Sequence, residues 1–330
     1  MTTPCVSVVI PTYRRPVLLA RCLRAVFGQR FFRTGMESVE TIVVDDGRDD
    51  ATRDMVAALQ REVPERMVLR YLRPETGRGP AAARNAGWRA AQAPLVAFTD
   101  DDTIPEPGWL SAGVAAMAAA PSWNAAAGAV RVPPSATPPT DHERMTHGLE
   151  TAEFVTANAF VRTRALRAVQ GFDERFLRAW REDADLQFRL LPLGPVGRVN
   201  DAVVIHPVRE ERWGVCLRQQ RNTFFDALLY KKHPTLYRER IRPVPPWDYY
   251  VIVLLTLALL WLLAAREWAV ACAFGAVVLA LILRFALRRL HGTARTASHV
   301  AEMLLTSALI PFLSVYWRLR GAWRFKVVFL

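Results

Sequence analysis

Cysteine is scarce in this chain of 330 residues: only Cys5, Cys22, Cys216 and Cys272 occur, widely spaced and without a CxxC pair. That spacing excludes a disulfide scaffold and argues against a structural zinc site. No signal-peptide pattern precedes the first strand-like segment. No stretch interleaves aromatics with basic residues as a nucleic-acid groove would, so nucleic acid is not an expected partner, although the formal net charge is +12. Apolar residues, by contrast, are plentiful at 52%, which excludes disorder and allows a sizeable core.

The positive charge is localised. Residues 205 to 246 carry nine Lys/Arg against four Asp/Glu, and residues 284 to 330 carry eight against one; together they hold the whole excess. They flank the most apolar part of the chain, where anionic headgroups would attract them, so membrane lipid is the expected partner. Trp247 to Ala265 is a 19-residue run whose only charge is Asp248, and Trp268 to Leu287 is a second, interrupted only by Arg284. Each is long enough to span about 30 Å of hydrocarbon. Only Arg266 and Glu267 separate them, which predicts a tight hairpin, and the cations on both sides of it place its ends in the cytoplasm. A third run, His299 to Trp317, contains Glu302 and Pro311 and is followed by Arg318, Arg320, Arg324 and Lys326. A full crossing would carry those cations outside, so a re-entrant or interfacial helix is expected.

The first half reads as alternating α/β. Four β-branched apolar runs, Val6 to Ile10, Val39 to Val44, Met67 to Leu72 and Leu95 to Thr99, alternate with helix-like stretches. This order predicts a parallel sheet with helices on both faces, and ligands bind beyond the carboxyl ends of such strands. The residues placed there are Pro11, Thr12 and Tyr13, then Asp45-Asp46-Gly47, Gly77 to Pro80, and Asp100-Asp101-Asp102. Residues 131 to 148, rich in proline and polar side chains, predict an irregular segment, either a surface loop or a substrate lid. A strand near Phe154 to Val161 and helices over Thr163 to Val169 and Asp183 to Leu191 are expected next.

Alternation along an extended chain points Asp100 and Asp102 to one side. Adjacent carboxylates repel one another; a divalent cation relieves this, and an oxygen site of this kind suits Mn²⁺ or Mg²⁺. A solvated acidic turn is the alternative. Asp45 and Asp46 can accept from a base or ribose, or can simply form a turn. His206, after another strand-like run, is either a third metal ligand or a structural histidine. Gly77 to Ala82 matches a dinucleotide-binding GxGxxA, yet the first strand-to-helix turn, PTYRRP, has no glycine, which argues against an oxidoreductase.

The ordered set VSVVIPTYRRP, IVVDDG, GPAAARNAG, FTDDDTIPEPGWL, GFDERF and REDADLQFRL, over about residues 4 to 240, resembles inverting family 2 glycosyltransferases of the GT-A fold. The resemblance implies an α/β, Rossmann-like mixed sheet of the nucleotide-diphospho-sugar transferase type, followed here by transmembrane helices. It places Thr12, Tyr13, Asp45 and Asp46 against the nucleotide and Arg84 near the donor. Asp100, Asp101 and Asp102 become the DxD element, with Asp102 the direct metal ligand. Glu182-Asp183 matches the ED motif whose aspartate is the general base, which an acceptor hydroxyl requires; a helix N-cap is the alternative for Asp183. Arg218 and Arg221 stand where processive relatives carry QxxRW, but Asn222 replaces the tryptophan, which argues against a polysaccharide synthase. Either arginine can clamp a diphosphate or belong to a membrane-surface patch.

The expected organisation is a cytoplasmic catalytic domain over residues 1–243, a transmembrane hairpin over 244–290, and a membrane-associated or re-entrant helix with a basic tail over 291–330. The expected partners are an NDP-sugar donor and a lipid-linked or other membrane-proximal acceptor at the inner (plasma) membrane. The alternatives are a polyprenyl-phosphate glycosyltransferase, or a non-catalytic membrane scaffold of the same fold.

Overall fold

The computed structural model describes residues 4–31, 38–47, 50–74, 76–134 and 137–330. In chain order the elements are β1 (Val6–Thr12), α1 (Pro16–Phe27), β2 (Val39–Asp45), α2 (Ala51–Leu59), β3 (Met67–Leu72), α3 (Pro80–Ala90), β4 (Leu95–Thr99), β5 (Ile104–Pro105), α4 (Trp109–Ala119) and β6 (Ala125–Arg131). Then follow α5 (Asp141–Thr146), α6 (Gly148–Thr151), β7 (Asn158–Arg162), α7 (Thr163–Val169), α8 (Glu182–Leu190) and β8 (Val196–Ile205). The remainder is helical: α9 (Val215–Gln219), α10 (Thr223–Lys232), α11 (Pro234–Leu236), α12 (Trp247–Ala264), α13 (Trp268–Leu290) and α14 (Ala297–Phe325). The chain forms two compact units, Met1–Pro133 with His147–Pro207, and Pro134–Thr146 with Val208–Leu330. The division therefore falls at Pro207, ahead of residue 243.

The first unit is built on one eight-stranded sheet of order β3-β2-β1-β4-β7-β6-β8-β5. β3, β2, β1 and β4 are parallel, and the β-branched residues of β1, β2 and β4 are buried as in a sheet covered on both faces, whereas Val68 of the edge strand β3 is exposed. The sheet is mixed beyond β4: β7 runs antiparallel to it, β6 antiparallel to β7, and β8 parallel to β6. These reversals bring the end of β8 back to the edge where β1, β2 and β4 end. The short β5 then pairs Ile104 with Ile205, which sets Asp102 and His206 side by side. A register shift at Gly128/Ala129 is filled by Asn158, whose Nδ2 donates to the Ala129 and Ala202 carbonyls at 2.8 Å each.

Helix α3 lies close on the sheet because its inward face is small: Ala81, Ala82, Ala83 and Gly87 are buried. A Cβ at Gly87 would stand 2.4 Å from Val9 Cγ1 and 3.0 Å from Val44 Cγ2, so only glycine permits this approach.

The second unit holds three helices long and apolar enough to cross a membrane: α12, α13 and α14, of 18, 23 and 29 residues. The expected irregularity of 131 to 148 is corrected in part, because α5 forms there. Thr140 Oγ1 accepts from the Glu143 N–H at 3.2 Å and Glu143 Oε2 accepts from the Thr140 N–H at 2.5 Å, a reciprocal cap readable in the sequence TDHE. Arg289 of α13 donates to Asp141 Oδ2 at 2.8 Å and to the Thr306 and Ser307 hydroxyls at 2.7 and 3.0 Å. The strap 137–146 thus belongs with the helices.

Gly87→Ala is expected to lower unfolding free energy by about 1–3 kcal/mol through overpacking, read as a fall in the denaturation midpoint at unchanged m-value; an unaltered midpoint would show that α3 is not packed this tightly.

Candidate active site

The strand ends deliver the functional side chains. Asp100, Asp101 and Asp102 follow β4 directly, and Asp101 and Asp102 are buried. Asp101 Oδ2 accepts from Thr12 Oγ1 at 2.8 Å and its Oδ1 from Arg15 Nη1 at 3.2 Å. Burial above all pushes the Asp101 carboxyl up to about 6, with Arg15 opposing and the flanking aspartates adding to the rise. Asp101 therefore braces the turn, leaving Asp100 and Asp102 to face the site.

Asp100, Asp102 and His206 each offer a ligand atom within 4.8 Å of the others. Among the described residues, no other group of three His, Cys, Asp or Glu side chains is so arranged. His206 Nε2 lies 3.7 Å from Asp102 Oδ1, and its Nδ1, buried, has no hydrogen-bond partner. Two carboxylates and one imidazole fit a Mn²⁺ or Mg²⁺ ion.

A second chain of charge runs through Arg84, which is only 3% exposed on the second turn of α3. Its Nη2 donates to Asp100 Oδ1 at 2.7 Å and its Nη1 to Glu182 Oε1 at 3.1 Å. Glu182 and Asp183 open α8, behind Arg181 in the left-handed region at φ 75°. Desolvation by burial raises both carboxyls above their ordinary values, and for Glu182 the adjacent Asp183 adds to the rise while Arg84 opposes it. Asp183 is not the N-cap, although its Oδ1 accepts from the Ala184 N–H at 2.8 Å.

The second strand end is organised by side chains that the motifs did not single out. Asp45 accepts from Tyr71 Oη at 2.7 Å and from the Gly47 N–H at 2.8 Å. Asp46 accepts from the Gly79 N–H at 2.7 Å. Gly79 sits at φ 86°, and a Cβ there would lie 2.7 Å from the Leu177 carbonyl oxygen, so this glycine serves backbone geometry. Tyr13 is exposed beside the Arg14 guanidinium, and Pro11 is half-buried. Asn85 donates to the Phe172 carbonyl at 2.9 Å and accepts its N–H at 2.8 Å, tying α3 to the loop that leads into α8. The RNAG step of the third motif was its only signal.

Arg218 and Arg221 lie on the second unit, on α9 and the turn after it; Arg218 is exposed and paired with Glu211 at 3.2 Å. The sheet edge does not carry them.

The family described as Glycosyl transferase family 2 matches residues 7–176, and Glycosyl transferase family group 2 matches residues 95–317. The chain belongs to glycosyl transferase family 2. Validoxylamine A glucosyltransferase of Streptomyces hygroscopicus subsp. jinggangensis is 40% identical over 116 residues, which cover 35% of this chain and 26% of that protein. Pre-mycofactocin glycosyltransferase of Mycobacterium tuberculosis is 29% identical over 217 residues, 61% of this chain and 44% of that protein. The chain thus spans about a quarter to a half of these curated relatives. Among solved structures, a mannosyltransferase from Pyrobaculum calidifontis, in complex with GDP-Man and Mn²⁺, aligns over 98% of this chain and 88% of its own, with TM-score 0.58 and 18% identity. The fold is GT-A.

Glu182 binds its proton more tightly in the folded chain than unfolded, so its contribution to stability is fully present below its ordinary 4.5 and is lost as pH rises through the raised value. Glu182→Gln is expected to flatten the decline in denaturant stability above pH 4.5; an unchanged slope would remove Glu182 as its source.

Proposed function

We propose that the chain transfers a sugar, with inversion, from an NDP-sugar to a hydroxyl of a lipid-linked acceptor at a membrane. The observation that carries this is the convergence, at one sheet edge, of the Asp100/Asp102/His206 cluster with the Arg84–Glu182–Asp183 chain. Asp100, Asp102 and His206 would hold the divalent ion; when bound, it supplies positive charge to the donor diphosphate. The Pyrobaculum structure, with its GDP-Man and Mn²⁺, supports that reading by analogy of fold.

Asp45 and Asp46 present carboxylates to base and ribose, with Thr12 and Tyr13 beside them. Asp183, with its affinity for a proton raised by burial, takes the acceptor hydroxyl proton. The acceptor oxygen then bonds to the anomeric carbon from the face opposite the diphosphate, and the bond to the diphosphate breaks. NDP leaves. Arg84 and Glu182 act by position: the buried guanidinium holds Asp100 and the carboxylate beside Asp183 in fixed places.

The membrane reading rests on the second unit alone. The hairpin α12–α13 is joined at Arg266 and Glu267. Helix α14 runs beside α9 and α10 along its length: Glu302 accepts from the Gly214 N–H at 2.7 Å, Arg318 meets Asp226 at 3.5 Å, and Lys231 donates to the Phe325 carbonyl at 2.7 Å. If α14 spanned, its apolar run would carry Glu302 and the polar chain at Gly214 bonded to it into hydrocarbon, at a cost of about 2–4 kcal/mol for the carboxylate. We place α14 along the interface, with the hairpin as the anchor.

Asp183→Asn is expected to lower turnover by about 10²- to 10⁴-fold while NDP binding persists in calorimetry; retained turnover would disprove its role as base. The base must be ionised, so the acidic limb of the wild-type pH–rate profile should lie above the ordinary aspartate value of 3.8. Asp102→Ala or EDTA should abolish transfer, and Asp102→Ala should weaken Mn²⁺ binding in EPR titration; full activity in chelator would refute the metal. For topology, a protease site after Leu330 and one at the exposed Val244 should be cut from the same membrane face; cleavage from opposite faces would mean that α14 spans.

A further inference from the structure

Helix α13 carries three arginines, and only two of them find an acceptor within the chain. Arg289 turns inward to Asp141, Thr306 and Ser307, whereas Arg288 is exposed and lies 3.8 Å from Asp248 at the start of α12. Arg284 is also exposed, and among the described residues it has no hydrogen-bond or ion-pair partner. It lies in an open groove on the outward face of α13, lined also by Ala280, Leu283, Leu287, Arg288 and His291. Leu283 and Leu287 on either side of it are 41% and 65% exposed. Resting on the reading of α12–α13 as the membrane anchor, we propose that this groove binds one anionic phospholipid. Its phosphate sits on the Arg284 guanidinium, and an acyl chain lies along Ala280, Leu283 and Leu287.

Helical rise sets the depth of the arginine. Trp268, the exposed aromatic that opens α13, stands at the opposite membrane interface, where tryptophan is favoured. Sixteen residues separate it from Arg284, a distance of about 24 Å along the helix axis. The hydrocarbon layer is about 30 Å thick, so the Arg284 backbone lies about one turn inside it and Arg288 falls at its boundary. A guanidinium at that depth extends along the helix to headgroup level, where the acceptor is a lipid phosphate. Its planar fork matches two phosphate oxygens at once.

Charge decides which lipid. Arg284 and Arg288 against Asp248 leave one net positive charge at this end of the groove, and the single negative charge of an anionic phosphodiester lipid cancels it. A zwitterionic headgroup brings its ammonium beside Arg288 and leaves the excess standing. The His291 ring, one turn nearer water on the same face, can donate to the headgroup.

The test is native mass spectrometry of the delipidated full chain in detergent, titrated with phosphatidylglycerol or with phosphatidylcholine of the same acyl chains. One phosphatidylglycerol per chain should be retained in preference to phosphatidylcholine. Arg284→Gln should weaken that retention by about tenfold, the worth of one charge-assisted hydrogen-bonded pair. Arg295→Gln, which removes the same charge from an exposed position between α13 and α14, should leave it unchanged. Arg284 is exposed, so its replacement opens no core. Equal retention of the two lipids, or equal effects of the two variants, would overturn the proposal. Displacement of the lipid by inorganic phosphate would assign the site to a free anion and overturn it as well. Extraction of membranes with alkaline carbonate separates this claim from the anchor reading. A chain that stays in the membrane but shows no lipid preference keeps the anchor and loses the site, whereas a chain released by carbonate loses both.

Discussion

The first unit depends on the burial of one guanidinium among carboxylates. Burying an unpaired charge costs several kcal/mol, so Asp100, Glu182 and Arg84 have to come into place together or not at all. Arg84 reaches them because α3 is faced with Ala81, Ala82, Ala83 and Gly87 and can press onto β1 and β2. The next residue, Asn85, fixes the loop at Phe172 that delivers α8, so one helix sets both the depth of the cation and the position of its partner.

Sheet topology supplies the other half of the site. The parallel strands β3, β2, β1 and β4 alone would bring no imidazole to this edge. The reversal at β7 and the return at β8 bring His206 to Asp102, and the two-residue β5 fixes their register. The same logic of compensated charge operates in the second unit, where buried Arg289 is shared among Asp141, Thr306 and Ser307. A guanidinium at the end of an apolar helix is tolerated there because a carboxylate and two hydroxyls accept from it and the Phe285 ring lies beneath it.

Local chemistry was legible in the sequence. The four β-branched runs, the carboxylates at their ends and the family resemblance led to the GT-A fold and to Asp45, Asp46, Asp100, Asp102 and Asp183, because strand period and strand-end placement are short-range properties. The hairpin was equally legible, since two apolar runs joined by Arg266 and Glu267 leave the chain little choice. The capped helix α5 was written in TDHE but hidden among prolines.

What tertiary structure alone decided concerns partners distant in sequence. That Arg84 meets Glu182 across 98 positions, that Asp101 braces Thr12 across 89, and that Asp102 stands beside His206 all follow from strand order and helix packing, which no local pattern encodes. The segment 137–146 is a further case: its prolines mark a departure from regular structure, yet only tertiary bonds assign it to the helical unit. These are the ion pair of Asp141 with Arg289, Arg144 donating to the Arg289 and His291 carbonyls, and the Pro139 carbonyl accepting from the Ala294 N–H. Residue type and spacing determined which groups would carry charge at the strand ends. The cost of burying that charge, met only by side chains the fold brings from elsewhere, determined which of them became partners.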